Sequence, residues 1–225
     1  MLSSGALKGL ATGGNGSHRV RVVSHNTLIH RFVRSGVRPL VHTPVAPNHL
    51  TTLRLLTGLS AGAILAVGTP AALAWGAGLF VLSMLLDRAD GELARLSGKR
   101  SAFGHKYDLV ADGLCNALVF IGLGVGLSDG PLEWRAIPMG VLAGLSVAAI
   151  LFLVLHIEAL QGERAAELGG AAGFDPDDGI LFVPILIWFG LERELLAVAA
   201  VAAPAFAMFF YWKLLRKSAR TGAAS

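Results

Sequence analysis

DRADGELARLSGKRSAFGHKYDLVAD, residues 87–112, places four aspartates in the middle of an apolar chain. The 86 residues before this stretch contain no Asp or Glu, and long apolar segments flank it on both sides. Charged groups at membrane depth cost a few kcal/mol each unless other groups compensate them. The stretch therefore predicts a polar site whose negative charge is balanced by cations.

The spacing of the aspartates predicts two pairs on helices. Asp87 and Asp90 are three residues apart and Asp108 and Asp112 are four apart, so each pair shares one helix face. The link SGKRSAFG is short, which predicts two antiparallel neighbouring helices whose carboxylates converge near one membrane surface. Such oxygen ligands suit Mg²⁺ or Mn²⁺, and four could hold two ions that clamp phosphoryl oxygens. Solvated helix-end charges are the alternative.

Small and basic residues around the aspartates predict a phosphorylated ligand. Gly91, Ala94 and Gly104 leave the helix faces bare, so a ligand can approach the backbone. Arg95 and the Lys-Arg pair at 99–100 supply cations for phosphate groups. The combination favours a membrane-embedded phosphotransfer centre over solvated charges.

The composition predicts an all-α integral membrane protein. The 225 residues are 54% hydrophobic and 15% charged, with a mean hydropathy of +0.62, which is unlike a soluble domain. A bilayer span needs about 20 mostly apolar residues. Six stretches are predicted to be transmembrane helices: roughly 50–68, 70–94, 105–128, 136–157, 178–191 and 194–214.

The distribution of basic residues predicts the orientation. Lys and Arg concentrate before residue 50, between residues 95 and 106 and from residue 213 onward, whereas the turns on the other side hold Arg135 and Arg193. The positive-inside rule then places both termini and the aspartates on the cytoplasmic side of the membrane. The resemblance described below implies that this membrane is a bacterial inner membrane. No nucleic-acid-binding pattern accompanies the pI of about 9.6, and the basic residues suit anionic lipid headgroups.

The chain divides into four predicted parts. Residues 1–25 are expected to be a disordered cytoplasmic tail, with a transit peptide as the alternative. Residues 26–46 are expected to be an interfacial amphipathic helix, with an ordinary packing helix as the alternative. Residues 47–217 form the six-helix transmembrane catalytic domain, and residues 218–225 a second cytoplasmic tail. The apolar positions of the amphipathic helix are Ile29, Phe32, Val33, Val37 and Leu40.

The complete motif, Asp87-x2-Asp90-Gly91-x2-Ala94-Arg95-x8-Gly104-x3-Asp108-x3-Asp112, resembles the signature of the CDP-alcohol phosphotransferase (CDP-alcohol phosphatidyltransferase) family. All eight identities and every gap match. The six spans, the N-terminal interfacial helix and Asn48-x2-Thr51 before the first span also resemble that family. The acidic, poorly hydrophobic approach to the fifth span departs from it and leaves the acceptor open.

The resemblance implies a homodimeric enzyme of phospholipid biosynthesis. It would transfer a phosphatidyl group from CDP-diacylglycerol to a small polar alcohol and release CMP by direct in-line attack. Asp87, Asp90 and Asp108 would hold two Mg²⁺ or Mn²⁺ ions, with Asp112 near the second. Asp108 and Asp112 are then the catalytic carboxylates, and Asp112 the candidate general base. The implied nucleotide-binding residues are Gly91, Ala94, Arg95, Ser101 and Gly104.

The acceptor side is less defined by the sequence. Lys106, His156 and Arg164 are candidates for binding a phosphorylated acceptor. The acidic segment 158–178 would instead suit an amine-bearing acceptor such as serine, with a solvated loop as the alternative. The same motif fits the reverse reaction, in which a CDP-linked amino alcohol donates to diacylglycerol. An Asp-rich membrane prenyltransferase and a non-enzymatic membrane scaffold or channel are the more distant alternatives.

Three residues of the third stretch are assigned packing roles. Cys115 is the single cysteine and is expected to be a small apolar packing residue. Tyr107 and Asn116 lie only partly on the stripe of Asp108 and Asp112, so they too are expected to pack.

Overall fold

The computed structural model describes residues 35–161 and 180–222, with side chains for 35–159 and 180–213. The predicted tail at 1–25, the first nine residues of the predicted amphipathic helix, Arg164 and most of the segment 158–178 lie outside the described residues. Within the described part of the chain, every regular element is a helix.

In the part of the chain that the structure describes, six α-helices have defined bounds, and two short 3-10 helices precede the first and the fourth of them. The 3-10 helices cover Arg38–His42 and Glu133–Arg135. The α-helices are α1 (Pro47–Leu65), α2 (Pro70–Ser97), α3 (Ala102–Gly126), α4 (Ala136–Gln161), α5 (Phe182–Trp188) and α6 (Glu192–Gly222).

The link between α2 and α3 is short because both helix ends are capped locally. α2 ends at Ser97 and is followed by Gly98, which has a φ of +69°, the left-handed conformation that glycine adopts at low cost. α3 starts after Ser101, whose hydroxyl oxygen accepts a hydrogen bond from the backbone N–H of Gly104 at 3.0 Å. The two aspartate pairs are therefore separated by a tight, sequence-defined connection.

Four helical segments of the described chain are long and apolar enough to cross a membrane, namely Pro70–Ser97, Ala102–Gly126, Glu133–Ala159 and Glu192–Lys213. The prediction of six spans is not confirmed. In α1, His49, Thr51, Thr52, Arg54 and Thr57 lower the hydropathy. α5 has seven residues, which at 1.5 Å each cover about 10 Å of a core about 30 Å thick.

The first helix organises the packing. α1 packs extensively against both α2 and α3, whereas α2 and α3 contact each other only slightly. The predicted direct packing of α2 on α3 is thus replaced by packing of each on α1. α4 packs against α3 and α6, and α5 packs against α2. The buried core contains Leu65, Phe80, Val119, Leu123 and Leu196.

Glycines allow the helix backbones to touch at the ends of α1 and α3 remote from the aspartates. A Cβ added to Gly122 would lie 2.1 Å from the carbonyl oxygen of Gly62. On the other side of α3, a Cβ added to Gly140 would lie 2.5 Å from the carbonyl oxygen of Phe120. Small residues at such crossings let backbones approach closely in an apolar environment.

The described part of the predicted amphipathic helix packs on α2. Val37 is buried and contacts the buried Leu93, with Leu40, Val41 and Val45 packed around them. This segment includes a 3-10 helix of five residues. An N-terminal amphipathic helix lying along the membrane surface is therefore not confirmed.

Candidate active site

Three of the four aspartates form a compact group of oxygen ligands. Asp87 and Asp90 from α2 and Asp108 from α3 each offer a carboxylate oxygen, and these oxygens lie within 4.8 Å of one another. Asp90 is buried, whereas the side chains of Asp87 and Asp108 are 37% and 38% exposed. This donor set fits Mg²⁺ or Mn²⁺, both of which prefer carboxylate oxygens.

A buried arginine that the sequence analysis missed joins the carboxylates. Arg54 of α1 is 3% exposed. Its Nη1 lies 2.6 Å from Oδ1 of Asp87 and 2.6 Å from Oδ1 of Asp108. Its Nη2 lies 2.5 Å from Oδ1 of Asp112. One guanidinium therefore bridges carboxylates from both aspartate pairs.

Two other polar side chains complete the contacts to the aspartates. The hydroxyl of Thr51 donates to Oδ2 of Asp90 at 2.6 Å. The amide of Asn116 donates to Oδ1 of Asp112 at 3.0 Å. All four aspartates thus have a polar partner, and α1 supplies it for each of them through Thr51 or Arg54.

The predicted packing roles need revision for two residues. Asn116 contacts Asp112, as described above, and the hydroxyl of Tyr107 lies 3.0 Å from that of Thr52 on α1. Cys115 is buried as expected. The signal that could have revealed Arg54 is its position, since it is the one charged residue in the stretch 50–68 and lies three residues after Thr51.

A cavity of about 540 Å³, here called the link cavity, lies beside the α2–α3 link. It brings together four of the five predicted nucleotide-binding residues. A Cβ added to Gly91 would meet nothing within 4 Å, so the helix surface there is open to a ligand. The lining residues are Pro47, Asn48, Thr51, Asp90, Gly91, Ala94, Lys99, Arg100, Ser101, Ala102, Gly104, His105 and Asp108.

The remaining predicted site residues are placed differently. Arg95 pairs with Glu92 one turn earlier on α2 and is not among the residues that line the link cavity. Lys106 and His156 are exposed, and His156 stacks on Phe152. Arg164 lies outside the described residues. The acceptor candidates are therefore not brought together by the part of the chain that the structure describes.

A second cavity, here called the apolar cavity, has a volume of about 810 Å³. One end holds Arg54, Asp87, Asp108, Asp112 and Asn116, and Arg88 also lines it. The rest of its wall is mainly apolar and includes Phe80, Phe120, Leu151, Val183, Ala199 and Phe206. Asp108 lines both cavities, so they meet at this residue.

One further polar contact joins the start of α3 to the end of α4. Nε2 of His105 lies 3.0 Å from Oε2 of Glu158. Because His105 lines the link cavity, this contact helps to hold one wall of it. Sequence spacing gave no sign of the contact, since 53 residues separate the two partners.

The fold and site define a helical membrane protein with a carboxylate group suited to divalent cations and a cavity beside it. Residues 44–212 match the CDP-alcohol phosphatidyltransferase family. The chain belongs to this family of transferases, as the motif at residues 87–112 predicts.

Proteins similar to this chain include phosphatidylinositol phosphate synthases. The enzyme of Corynebacterium glutamicum is 26% identical over 153 residues, which cover 68% of this chain and 64% of that protein. The match thus spans somewhat less than two thirds of the relative's length.

Two crystal structures of the phosphatidylinositol phosphate synthase of Mycobacterium tuberculosis share the fold. The one with CDP-DAG bound has a TM-score of 0.63 at 19% identity, covering 81% of this chain and 94% of that chain. The one in complex with manganese and citrate has a TM-score of 0.61 at 21% identity, covering 80% and 88%.

Proposed function

We propose that this chain is a metal-dependent enzyme of phospholipid biosynthesis that transfers a phosphatidyl group from CDP-diacylglycerol to a small polar alcohol and releases CMP. The observation that carries the proposal is the meeting of the link cavity and the apolar cavity at Asp108, inside the carboxylate group. The family membership supports the class of reaction. The relatives' activity and their structures with CDP-DAG and with manganese support the donor and the metal.

The link cavity has the chemistry that a cytidine nucleotide needs. Lys99 and Arg100 provide positive charge for phosphates, and Ser101 provides a hydroxyl. Gly91 and Ala94 leave room for the ligand to approach α2. We propose that the nucleotide half of the donor occupies this cavity, and that Arg95, which follows Ala94 in the chain and pairs with Glu92, contributes positive charge beside it.

The carboxylates supply the reacting centre of this proposal. Asp87, Asp90 and Asp108 would hold divalent cations, with Asp112 near a second ion. Bound cations would neutralise phosphoryl oxygens and favour an in-line displacement. Asp108 at the boundary of the two cavities would lie beside the transferred phosphorus, with CMP leaving on the side of the link cavity.

Asp112 is the proposed general base, with the acceptor on the side of the apolar cavity. Its carboxylate lines that cavity, is 47% exposed and is oriented by Arg54 and Asn116. The carboxylate would accept the hydroxyl proton while the alcohol oxygen forms a bond to the β-phosphorus. The bond from that phosphorus to the bridging oxygen then breaks, and CMP leaves with the electron pair.

The acceptor is proposed only as a class. Among the described residues, Arg54 and Arg88 are the cations that line the apolar cavity, whereas Lys106 and His156 are not. A small polar alcohol would approach Asp112 beside these arginines, and a phosphorylated alcohol would use their charge. A serine-type acceptor, suggested by the acidic segment 158–178, remains the competing choice.

A second donor arrangement is favoured by one observation. The apolar walls of the 810 Å³ cavity suit a lipid next to Asp112. Diacylglycerol could therefore be the acceptor, with a CDP-linked amino alcohol as the donor. The carboxylates and the link cavity would act in the same way, and only the position of the lipid would change.

The membrane arrangement completes the proposal. We propose that α1 and the segment around α5 complete a six-helix membrane domain, because α1 packs on two of the four apolar helices. The site end carries Lys99, Arg100 and Lys106, which favours the cytoplasmic side of a bacterial inner membrane. The domain limits 47–217 and a homodimer remain part of this proposal.

The test follows CMP release by purified protein in lipid nanodiscs. CDP-diacylglycerol with Mn²⁺ or Mg²⁺ is offered serine, glycerol phosphate and inositol phosphate in separate reactions. A parallel reaction contains CDP-choline and diacylglycerol. We expect CMP with one acceptor of the first set and none after chelation of the metal. CMP only in the parallel reaction would reverse the donor arrangement, and no CMP in any reaction would refute the function.

The first matched pair of variants is Asp112→Asn and Asp129→Asn. Loss of a general base lowers turnover by about 10²–10⁴-fold, so Asp112→Asn should lose that much of its CMP release. Asp129 is exposed in the turn after α3 and should tolerate the same change. Full activity of Asp112→Asn would refute its role.

A further inference from the structure

Arg54 occupies a position where it touches both halves of the carboxylate site. Its guanidinium contacts Asp87 of α2 and Asp108 and Asp112 of α3 at 2.5–2.6 Å. α2 and α3 themselves make few contacts with each other. The charge that holds the two aspartate pairs at one point therefore comes from α1.

The backbone at Arg54 is fixed by the same two helices. Its carbonyl oxygen accepts a hydrogen bond from the hydroxyl of Ser83 on α2 at 3.0 Å. The thiol of Cys115 on α3 lies 4.0 Å from that oxygen. One turn later, a Cβ added to Gly58 would lie 2.3 Å from Sγ of Cys115. The backbone of Arg54 is thus held in place by α2 and α3, which favours a defined position for its guanidinium.

Arg54 and a divalent cation would share ligands. The Asp87 and Asp108 oxygens bonded to Nη1 belong to two members of the three-aspartate group that could hold an ion. The contact of Nη2 goes to Asp112, which is outside that group. A cation bound to the three aspartates would therefore compete with Nη1 for Asp87 and Asp108. It would leave the contact of Nη2 with Asp112 in place.

We propose that Arg54 is a built-in counter-cation that holds the four aspartates together before metal binds and yields Asp87 and Asp108 to the ion. It keeps its contact with Asp112 throughout, so it acts as a positioning residue for the proposed base. Arg54 lines the apolar cavity, where an anionic oxygen could accept hydrogen bonds from the Nη1 released in the exchange. This inference rests on the proposed use of divalent cations but requires no particular donor or acceptor.

The test measures melting temperature and Mn²⁺ binding of the full-length protein without any CDP substrate. Arg54→Met removes the charge and keeps an unbranched side chain. In metal-free buffer we expect its melting temperature to fall by roughly 5–15 °C. Added Mn²⁺ should raise its melting temperature by more than that of the wild type, because the ion replaces the lost positive charge.

Direct titration with Mn²⁺, followed by electron paramagnetic resonance of the free ion, gives a second reading. Arg54→Met should bind Mn²⁺ about tenfold more tightly, since a competing positive charge has been removed. Weaker binding than in the wild type would overturn the exchange and would mean that Arg54 helps to form the metal site. An unchanged affinity and melting temperature would overturn it as well.

Two further variants separate charge from packing. Arg54→Lys keeps a positive charge and should melt closer to the wild type than Arg54→Met does. The double variant Arg54→Met, Asp87→Asn removes one carboxylate charge and should recover at least half of the stability lost in Arg54→Met. No recovery, or an Arg54→Lys protein as unstable as Arg54→Met, would overturn the inference. If Arg54→Met alone fails to fold, folding of the double variant decides the question.

The control is Arg135→Met, an exposed arginine at the opposite end of the helices. It should change neither the melting temperature nor Mn²⁺ binding. Because all readings are made without substrate, they separate the two proposals. Failure of CMP release with the Mn²⁺ results intact would refute the proposed function alone.

Discussion

The two ends of the α1–α3 crossing are held together by different forces. At one end, Arg54 of α1 contacts Asp108 and Asp112 of α3. There α1 also contacts Asp87 and Asp90 of α2, through Arg54 and Thr51. At the other, Gly62 of α1 meets Gly122 of α3 with no room for a Cβ between them. The glycine end is fixed by shape, whereas the polar end is fixed by charge and can exchange one cation for another. Helices α1 and α3 are thus fixed by close backbone packing at one end, and at the other end they carry a carboxylate site that can respond to metal binding.

Breaking the glycine end should have the largest effect on stability. Gly122→Val places a side chain 2.1 Å from the carbonyl oxygen of Gly62, so the helices must separate. Overpacking costs about 1–3 kcal/mol or more, and we expect a value at or above the top of that range. Thermal unfolding should show a lower melting temperature that Mn²⁺ does not restore. Gly78→Ala is the control, since a Cβ there meets nothing within 4 Å.

Breaking one contact at the polar end should cost less and depend on metal. Thr51→Val removes the 2.6 Å hydrogen bond to the buried Asp90. A hydrogen bond to a charged group contributes about 1.5–3 kcal/mol, so the metal-free melting temperature should fall by several degrees. Mn²⁺ should reduce the loss because the ion stabilises the same carboxylate. Equal losses with and without Mn²⁺ would contradict the distinction between the two ends. Thr57→Val is the control, because the hydroxyl of this half-buried threonine donates to backbone carbonyls of α1 and contacts no aspartate.

A glycine at the polar end should behave unlike Gly122. Gly91→Ala meets no atom within 4 Å, so the melting temperature should stay the same or rise slightly. The new methyl group would project toward the link cavity and weaken donor binding. One methylene in a ligand site changes kcat/KM by roughly 10–200-fold, and the loss should appear in the KM for CDP-diacylglycerol. A destabilised protein with an unchanged KM would contradict the ligand role of this helix face.

The helical spacing of the aspartates was enough to predict the centre of the site. Asp87, Asp90 and Asp108 meet as expected, and the motif identified the family correctly. Gly91, Ala94, Ser101 and Gly104 also line one cavity together. These predictions rest on residues within one continuous stretch, where a local pattern reports local geometry.

The partners from other helices could not be predicted in the same way. Arg54 and Thr51 come from α1, and Glu158, the partner of His105, comes from α4. Nothing in the spacing along the chain shows which of these helices lies beside the aspartates. The short link between α2 and α3 predicted that these two helices pack directly on each other. In the structure, each of them packs on α1 instead.

The prediction of six transmembrane spans is not confirmed at α1 and α5, because hydropathy along the sequence does not report how these helices are buried or how long they are. Thr51 and Arg54 of α1 are buried where this helix packs on α2 and α3, so they do not require water although they lower its hydropathy. α5 is apolar but covers only seven residues. Hydropathy averages over a stretch and therefore does not register which face of a helix is covered by its neighbours.

The position of Asp108 between the link cavity and the apolar cavity bears on the free energy needed to bring a lipid to the site. Moving an acyl chain from an apolar environment into water costs about 0.8 kcal/mol per CH₂. A chain with about fifteen such groups would therefore cost about 12 kcal/mol to extract. With Asp108 between a polar and an apolar cavity, the lipid donor of the proposed reaction would present its headgroup to the link cavity while its chains stay in contact with Phe120, Leu151 and Phe206. In the proposed reaction, the lipid chains would therefore stay in an apolar environment while the polar reactant stays in contact with water.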